Sequence, residues 1–544
     1  MRRVASSFPS PSGGGSRAST LREPILLGLL AALSFLTRLP YFDRTFFISD
    51  SARYALALAR FDVTAGRPHP PGNPLYVGIV AIASALSGDP VSGLALVSAA
   101  AGTLAVVAIY FLGRDLGGRT AGAIAALALA TSPLFWFFGA VGMPATCEAV
   151  LSIALALACR RAAMNGSGRA FLAATALMAL GFGLRSTFVF LVSPLWLWAA
   201  LRRPRASLPA GAGIAACAFG WSYLAAELSG GWGRYSATNS RFLHEVVIQT
   251  KILAGGWAKA PGQALEIGRS LGWGLGLFIL PLAAGLVWVL RRSLDPRGNE
   301  ERRDLLFFAL WTVPSLGFHA LYDWAPRFGV FFLPPAFALA ALTLARTGWG
   351  ERPGQDVRRW IAIGVAAAVT LNVVAFTLVN NEGSGVQLLE RNEDIGEMDA
   401  WVRAFDPART VVAAHDSAFH GIWFLPEYEV LGLFGAFKKV PDTWTPHARA
   451  RRLDFEESSG LTAGVSPWPL PAGVDRIVFY DEDLARLASG APAPGSIAAR
   501  SVPSVPGWQL GPYGAAALAV PAGSCLVWSL GAVTVKPCGE VTGS

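Results

Sequence analysis

The chain has 544 residues, of which 53% are hydrophobic and only 15% are charged, and its mean hydropathy is +0.44. These values exclude an ordinary soluble protein and indicate a polytopic membrane protein, so the length does not divide into three or four soluble domains. The formal net charge of +9 does not point to nucleic acid, because arginine clusters between apolar segments orient membrane spans. We therefore expect no nucleic-acid partner.

The N-terminal stretch over residues 1–20 is rich in Ser, Gly and Pro, which predicts a disordered tail on the cytoplasmic side. The apolar run that follows is not predicted to be a cleaved signal, because Pro40 and Tyr41 stand where a small-residue cleavage site would lie. We interpret this run as the first membrane span.

Apolar segments that cross a bilayer need about 20 residues, and we find about eleven candidates within a transmembrane domain over residues 21–380. The candidates lie at residues 24–42, 91–112, 120–138, 144–159, 170–184, 186–201, 207–227, 271–290, 304–322, 327–345 and 360–379. Arginine clusters separate several of them. If every second loop faces the cytoplasm, all of these clusters lie inside together with the N-terminus. The clusters are Arg114/Arg119, Arg160/Arg161/Arg169, Arg202/Arg203/Arg205, Arg291/Arg292/Arg302/Arg303 and Arg346/Arg358/Arg359.

The same topology predicts two long external loops, over residues 43–90 and 228–269. Within the first, residues 74–88 are apolar but too short to span comfortably, and we expect them to form an interfacial helix on the outer surface. Arg185 falls at the external apex of a helical hairpin. The second loop is basic for an external segment, which a long functional loop tolerates.

After residue 380 the composition becomes that of a soluble protein, and we predict a small extracytoplasmic α/β domain over residues 381–544. The stretches "RTVVAAHD", "YEVLGLF" and "DRIVFYDED" indicate buried strands, and "DIGEMDAWVRAF" indicates an amphipathic helix. Cys525 and Cys538 flank an apolar, hairpin-like stretch. They either form a disulfide in an oxidising compartment or remain two core thiols.

Ionisable residues are nearly absent from the predicted spans, except near the ends that face outside. Such side chains are costly near hydrocarbon and usually mark a functional site. A coupled carrier would place them near the midplane, whereas a belt at one edge is typical of chemistry at the outer membrane surface. The belt comprises Asp50, Glu148, Arg185, Glu227, His319, Asp323 and Arg327.

The two carboxylates of this belt each have a structural and a functional interpretation. Ser49 or Asp50 is either the cap of the helix "SARYALALARF", or Asp50 is a general base on a hydroxyl or a metal ligand. Glu148 lies in the first turn after Pro144, where the helix dipole favours a negative charge whether or not the residue is catalytic.

Rigid and basic elements accompany these carboxylates. The prolines of "GRPHPPGNPLY" fix the backbone around His69 at little entropic cost. Arg327, where a span enters from outside, and Arg185 either extend harmlessly towards water or bind a phosphate through a bidentate fork.

Together these segments resemble the GT-C superfamily of membrane glycosyltransferases, which use polyprenyl-phosphate sugars and include protein O-mannosyltransferases and bacterial aminoarabinose transferases. Asp50 in "ISDSARY" matches the acidic residue of that family's first external loop, and "PHPPGNPLY" is similar to its His-Pro-Pro-Gly turn. Glu148 matches a Glu at the outer start of a later span. "PRFGVFFLPPAFALAAL" is similar to a late span, with Phe328 in place of the usual Tyr. The resemblance covers residues 20–380.

The resemblance implies an inverting transfer of a sugar from a polyprenyl phosphate to a hydroxyl of a protein, lipid or glycan, in a bacterial-type inner membrane. Asp50 and Glu148 would be catalytic. The implied donor-phosphate contacts are Arg327, Arg185, His69 and Arg53, and the implied acceptor or donor contacts are Tyr54, His319, Asp323 and His244. Many relatives have an Asp-Glu pair where this chain has Asp50-Ser51. It therefore stays open whether Asp50 and Glu148 bind a divalent metal.

Three other functions remain as alternatives. Asp481-Glu482-Asp483 would suit a nucleotide-sugar transferase, although the same residues are also an ordinary helix start. A transporter or lipid flippase is disfavoured, because neither midplane charges nor an internal repeat is visible. A non-catalytic envelope assembly protein with a degenerate site would tolerate Asp50→Asn.

Overall fold

The computed structural model describes residues 17–243, 257, 260–294, 299–321, 324–349, 354–414, 417–432, 451–452, 466–489, 508–529 and 532–541. Helices make up most of the described residues between 17 and 402. The helices are α1 (Arg17–Leu36), α2 (Ser49–Ala59), α3 (Pro74–Ser87), α4 (Pro90–Thr131), α5 (Pro133–Phe138), α6 (Ala145–Asn165), α7 (Gly168–Leu184), α8 (Ser186–Ala200), α9 (Pro204–Leu228), α10 (Trp232–Phe242), α11 (Ala260–Leu275), α12 (Ile279–Ser293), α13 (Asn299–Leu321), α14 (Pro326–Trp349), α15 (Gln355–Leu378) and α16 (Gly385–Val402).

Seven helical segments of the described chain are long and apolar enough to cross a membrane. Each of the eleven predicted spans overlaps a helix, but several helices fall below the length or composition of a full span, and the number eleven stays a prediction. The shorter apolar helices include α7, α8 and α3. With 14 residues, α3 is about 21 Å long, which is less than a hydrocarbon core of about 30 Å. The first helix begins at Arg17, inside the tail that we predicted to be disordered.

The longest helix is interrupted where the sequence predicts a loop between two spans. Gly117 and Gly118 leave the helical conformation within α4, and Gly118 has a φ of 83°. That left-handed backbone favours glycine, because a side chain there would clash with the backbone. The break lies between Arg114 and Arg119, so α4 supplies two of the predicted spans.

Ion pairs join several of the predicted cytoplasmic clusters at one end of the bundle. Glu23, near the start of the first span, pairs with Arg114 and Arg119 at the α4 break. Asp304 at the start of α13 is 3% exposed and bonds Arg160 at 3.0 Å and Arg346 at 3.1 Å. Because these arginines lie in the C-terminal parts of α6 and α14, the N-terminal ends of both helices lie together at the other end of the bundle.

The C-terminal domain is an α/β domain, as the sequence predicts. Its strands are β1 (Thr410–Ala414), β2 (Glu429–Gly432), β3 (Arg451–Arg452), β4 (Ser466–Pro469), β5 (Arg476–Phe479), β6 (Trp508–Leu510), β7 (Ala516–Ala519), β8 (Ser524–Ser529) and β9 (Ala532–Pro537). One sheet has the order β3-β2-β1-β5-β7-β6, parallel from β3 to β5 and antiparallel beyond it. The antiparallel β4, β8 and β9 form a second sheet. The remaining helices are α17 (Ala418–Phe424), α18 (Glu482–Ser489) and α19 (Cys538–Val541).

The two cysteines left open by the sequence form a disulfide that closes the β8–β9 hairpin. Cys525 and Cys538 are bonded, whereas Cys147, Cys159 and Cys217 are free. Disulfides persist in oxidising compartments, which agrees with the predicted external side of this domain.

The buried Asp304 pair yields a stability prediction. Asp304→Asn leaves Arg160 and Arg346 without their shared carboxylate, so we expect a loss of about 3 kcal/mol of stability, visible as a lower Tm in detergent. Glu266→Gln is the control, because its pair with Arg269 is exposed and worth about 1 kcal/mol or less. Equal Tm values for the two variants would contradict this role of Asp304.

Candidate functional site

The first external loop places Asp50 at the start of α2, among positive groups. The helix begins at Ser49 with Ile48 as its N-cap, and no side chain makes a capping bond. Neither Ser49 nor Asp50 therefore has the capping role that the sequence left open. The chain instead directs the Asp50 carboxylate away from its own helix end and towards basic side chains.

Three basic side chains surround this carboxylate, and they come from three separate parts of the chain. Arg53 lies one turn along α2, with its Nη1 atom 3.8 Å from Asp50 Oδ1. His69 of the Pro-rich turn places its Nδ1 atom 3.7 Å from the same oxygen. Arg327 at the start of α14 lies 3.7 Å from Oδ2. These distances are too long for tight hydrogen bonds, so the Asp50 carboxylate is not bound closely to any one of the three side chains.

The Pro-rich turn is held rigidly by neighbouring segments. The N–H of Gly72 donates to the carbonyl of His69 at 3.0 Å, and Tyr235 of α10 donates its hydroxyl to Pro71 at 3.0 Å. Gly72 has a φ of 112°, a left-handed conformation that favours glycine. Burial lowers the pKa of His69 to about 4, so His69 is neutral at neutral pH and acts as a polar contact, not as a cation.

Tyr54 lies behind His69 and completes this side of the site. Its hydroxyl accepts a hydrogen bond from the Asn73 side chain at 2.6 Å, and its ring meets the His69 ring edge-on at 5.6 Å. Burial, together with the nearby Asp50 charge, raises the pKa of Tyr54 well above its usual value. Tyr54 is therefore a neutral hydrogen-bonding group that supports His69.

The second carboxylate, Glu148, forms its own pair with the predicted hairpin apex. Glu148 lies in the first turn of α6 and is 4% exposed. Both of its oxygens accept from Arg185 Nη1, at 3.0 and 3.2 Å. Arg185 stands between α7 and α8, outside both helices, so its position depends on this buried pair.

Phe328 connects the two ion pairs. The Arg185 guanidinium carbon lies 5.0 Å from the centre of the Phe328 ring, and that of Arg327 lies 5.1 Å from it. The His319 ring stacks on the same phenyl ring, with centroids 4.2 Å apart and an angle of 21°. A buried aromatic ring favours cations over its face, so Phe328 gathers both guanidinium groups in one place.

Acidic and basic side chains lie close together in this site. Arg53, Arg185 and Arg327 face the carboxylates of Asp50 and Glu148. Burial alone would raise the pKa of Asp50, but the cations outweigh burial and hold that pKa well below its usual range. These cations are His69 when protonated, Arg327, Arg53 and Arg185. With His69 neutral, the three arginines keep Asp50 ionised.

Eight of the ten predicted site residues meet at this end of the bundle: Asp50, Arg53, Tyr54, His69, Glu148, Arg185, His319 and Arg327. His244 and Asp323 lie outside the described residues. The position of the Phe328 ring beside both arginines was not predicted, although Phe328 stood out as a departure from the related motif. The hydrogen bond from Asn73 to Tyr54 was not predicted either, because no periodicity or charge pattern reveals it.

The described side chains of the site do not indicate a bound metal ion. Within the described part of the chain, no three His, Cys, Asp or Glu side chains form a group able to hold a metal ion. Asp50 and Glu148 each face arginines, which compete with a cation for the carboxylate oxygens.

The acidic triplet of the C-terminal domain has a structural role at its first residue. Asp481 precedes α18, and its carboxylate accepts from the backbone N–H of Ser417 at 3.1 Å, just before α17. This bond ties two helix starts together. It supports the helix-start interpretation of the triplet over a nucleotide-sugar site.

Comparisons with known proteins agree with this geometry. Residues 68–219 match the family model of dolichyl-phosphate-mannose-protein mannosyltransferases, a stretch that includes His69, Glu148 and Arg185. ArnT from Cupriavidus metallidurans superposes with a TM-score of 0.58 at 14% identity, over 92% of this chain and 98% of that one. The chain has the GT-C fold. The resemblance found in the sequence is thus confirmed at the level of the fold.

Two further solved structures are similar to this chain. ArnT from Cupriavidus metallidurans bound to undecaprenyl phosphate gives a TM-score of 0.57 at 12% identity, over 92% of this chain and 98% of that one. The Archaeoglobus fulgidus oligosaccharyltransferase tethered with an acceptor peptide gives 0.50 at 13% identity, over 85% and 69%. No curated protein sequence matches the chain.

A double-mutant cycle tests whether Asp50 and Arg327 interact. Asp50→Asn removes the negative charge that Arg53 and Arg327 face, so we expect a lower Tm in detergent. Adding Arg327→Gln removes one of the repelling charges and restores part of the loss, with a coupling of about 1 kcal/mol.

The control cycle for this prediction uses Arg403→Gln and Glu427→Gln, whose pair is half exposed and far from the site. We expect little coupling there, because exposed pairs are screened by water. Additive effects of Asp50→Asn and Arg327→Gln, equal to those of the control cycle, would show that the two groups do not interact.

Proposed function

We propose that the protein is an integral membrane glycosyltransferase that moves a sugar from a polyprenyl-phosphate donor to a hydroxyl acceptor with inversion at the anomeric carbon. The fold and the match of residues 68–219 support the class of enzyme. The single observation that carries the proposal is the placement of Arg185 and Arg327 beside one aromatic ring, Phe328, next to the carboxylates of Glu148 and Asp50.

The site suits the charges of such a reaction. A sugar linked through phosphate to a polyprenol is a phosphodiester with one negative charge, and after transfer the free polyprenyl phosphate carries up to two. Once Asp50 has taken up the acceptor proton, it no longer attracts Arg327 as an anion. Arg327 can then bind the additional negative charge of the product phosphate.

The steps follow from this arrangement. The acceptor hydroxyl oxygen attacks the anomeric carbon from the face opposite the phosphate, and its proton passes to Asp50. The bond between that carbon and the phosphate oxygen breaks, and the electron pair leaves with the phosphate. Arg327 and Arg185, both beside Phe328, neutralise the charge that develops on the leaving group. Glu148 holds Arg185 in place.

Asp50 is a weak base, and this suits the reaction. Its pKa lies below the usual range because the arginines face it. The negative charge of a donor bound to Arg327 would offset part of the positive potential at Asp50, and the Asp50 pKa would rise towards its ordinary value. The hydroxyl itself becomes acidic as its oxygen bonds to carbon, so an ordinary carboxylate suffices late in the step.

We further propose that this chemistry takes place outside a bacterial-type inner membrane. The end of the bundle that carries the ion pairs of Glu23, Arg160 and Arg346 is rich in arginine. By the positive-inside rule it would face the cytoplasm. The site, at the other end, would face outside together with the C-terminal domain and its disulfide. ArnT is solved with undecaprenyl phosphate, which makes this lipid the first carrier to test.

The experiment combines carrier binding with turnover. Purified protein is given a series of polyprenyl-phosphate sugars, and the released polyprenyl phosphate is measured. Asp50→Asn should abolish transfer, because the proton acceptor is lost. It should bind undecaprenyl phosphate about tenfold more tightly, because it mimics the protonated Asp50 of the product complex.

Arg327→Gln is the opposite variant and should weaken undecaprenyl phosphate binding about tenfold or more. Glu266→Gln removes an exposed acid elsewhere and should leave binding and transfer unchanged. Normal sugar transfer by the Asp50→Asn variant would contradict the role of Asp50 as the general base. A wild-type protein that neither binds the lipid nor transfers any sugar would favour a non-catalytic assembly role.

A further inference from the structure

Loop 42–47, between the first span and α2, carries an unusual backbone. Phe46 has a φ of 55°, which non-glycine residues rarely adopt. The carboxylate of Asp43 stabilises the turn from within, accepting from the backbone N–H groups of Thr45 at 3.1 Å and Phe47 at 2.8 Å. Such a conformation persists only where surrounding contacts determine it.

The first of these contacts is Asn392 of α16, some 350 residues further along the chain. Its side-chain oxygen accepts from the backbone N–H of Arg44 at 2.8 Å and from the Thr45 hydroxyl at 3.2 Å. Its side-chain nitrogen donates to the carbonyl of Phe42 at 3.1 Å. One amide therefore holds three residues of the loop, Phe42 and Arg44 through their backbone and Thr45 through its hydroxyl.

The second contact is α17 of the C-terminal domain. His420 Nε2 donates to the carbonyl oxygen of Phe46, so this nitrogen carries the proton. The Phe46 ring, 1% exposed, packs against the rings of His420, Trp423 and Phe424 at centroid distances of 6.2, 5.7 and 5.3 Å. The strained residue is thus held by α17 through both its carbonyl and its side chain.

The third contact reaches the site itself. The guanidinium carbon of Arg53 lies 4.4 Å from the centre of the Phe419 ring, the first aromatic residue of α17. Phe419 is 1% exposed, and Arg53 faces Asp50. A guanidinium over a buried ring is restrained in position while it keeps its charge.

We propose that Asn392, Phe419 and His420 are positioning residues through which the C-terminal domain sets the place of Asp50 and Arg53. The inference rests on the proposed transferase function and assigns a role to the C-terminal domain in that reaction. Asn392 and His420 fix loop 42–47, which determines where α2 begins and hence where Asp50 lies. Phe419 fixes the guanidinium of Arg53 beside the donor phosphate.

The two kinds of restraint predict different kinetic defects. Phe419→Leu keeps an apolar side chain but removes the aromatic face, so it should weaken binding of undecaprenyl phosphate about fivefold. Phe419→Trp retains an aromatic face and should restore most of this binding. Asn392→Leu lets the loop shift, so it should lower kcat about tenfold or more, with a donor KM within about twofold of wild type, because displacing a reacting group by about 1 Å can cost a hundredfold in rate.

The control separates positioning from general stability. Tyr480→Phe removes a buried hydrogen bond to Asp399 within the C-terminal domain, at 2.7 Å, without touching loop 42–47. It should lower the Tm of the full-length protein but leave kcat, KM and lipid affinity within about twofold below that Tm. All variants are compared as full-length protein at a temperature where each is folded.

The outcomes distinguish this inference from the function on which it rests. If the wild-type protein binds undecaprenyl phosphate while Phe419→Leu and Asn392→Leu behave like Tyr480→Phe, the positioning role is wrong and the transferase proposal stands. If the wild-type protein neither binds the lipid nor transfers a sugar, both fail together. Weaker binding in Phe419→Leu that Phe419→Trp restores, with lower kcat in Asn392→Leu, supports the proposal.

Discussion

Three guanidinium groups held against two carboxylates, at the edge of a largely apolar helix bundle, form the constraint on which the rest of this structure depends. Charges near hydrocarbon are costly unless they are paired. The fold meets that cost with Glu148 against Arg185 and Asp50 against Arg53 and Arg327. Arg185 and Arg327 also meet at the Phe328 ring. Two guanidinium groups in one place suit an anion, and a lipid-linked phosphate is an anion that arrives through the bilayer.

The bundle makes this arrangement rigid by fixing the opposite end of the same helices. The helices α6 and α14 carry site residues where they begin, and Arg160 and Arg346 in their C-terminal parts. Both arginines bind Asp304. Two ion-pair clusters therefore anchor these helices at their two ends, and the apolar side chains between them need only pack. A displacement at either cluster would move the residues of the other.

Composition, charge and motif spacing were enough to predict much of this from the sequence. Apolar runs indicated the helices, arginine clusters indicated one common end, and the sparse ionisable residues indicated the other. These signals are strong because a charge in an apolar chain is costly and therefore rarely accidental. The number of spans was less certain, because α7 and α8 are too short to be separated from one bent helix by hydropathy alone.

The contacts that depend on tertiary docking could not be predicted. Asn392 and Phe419 lie more than 300 residues from the loop and the arginine they hold, and neither belongs to a charge pattern. Their role exists only because the C-terminal domain packs on α2. Likewise Phe328 was visible as a substitution within a motif, but its place beneath Arg185 and Arg327 follows from the meeting of α8 and α14.

The most direct test is an experimental structure of the protein in lipid nanodiscs with undecaprenyl phosphate. We predict density for the phosphate within hydrogen-bonding distance of Arg327 and Arg185, next to the Phe328 ring, with the prenyl chain leaving along apolar helices. Arg291 and Arg292 line a separate cavity at the arginine-rich end. A phosphate bound there, with the pairs around Asp50 and Glu148 undisturbed, would contradict the account.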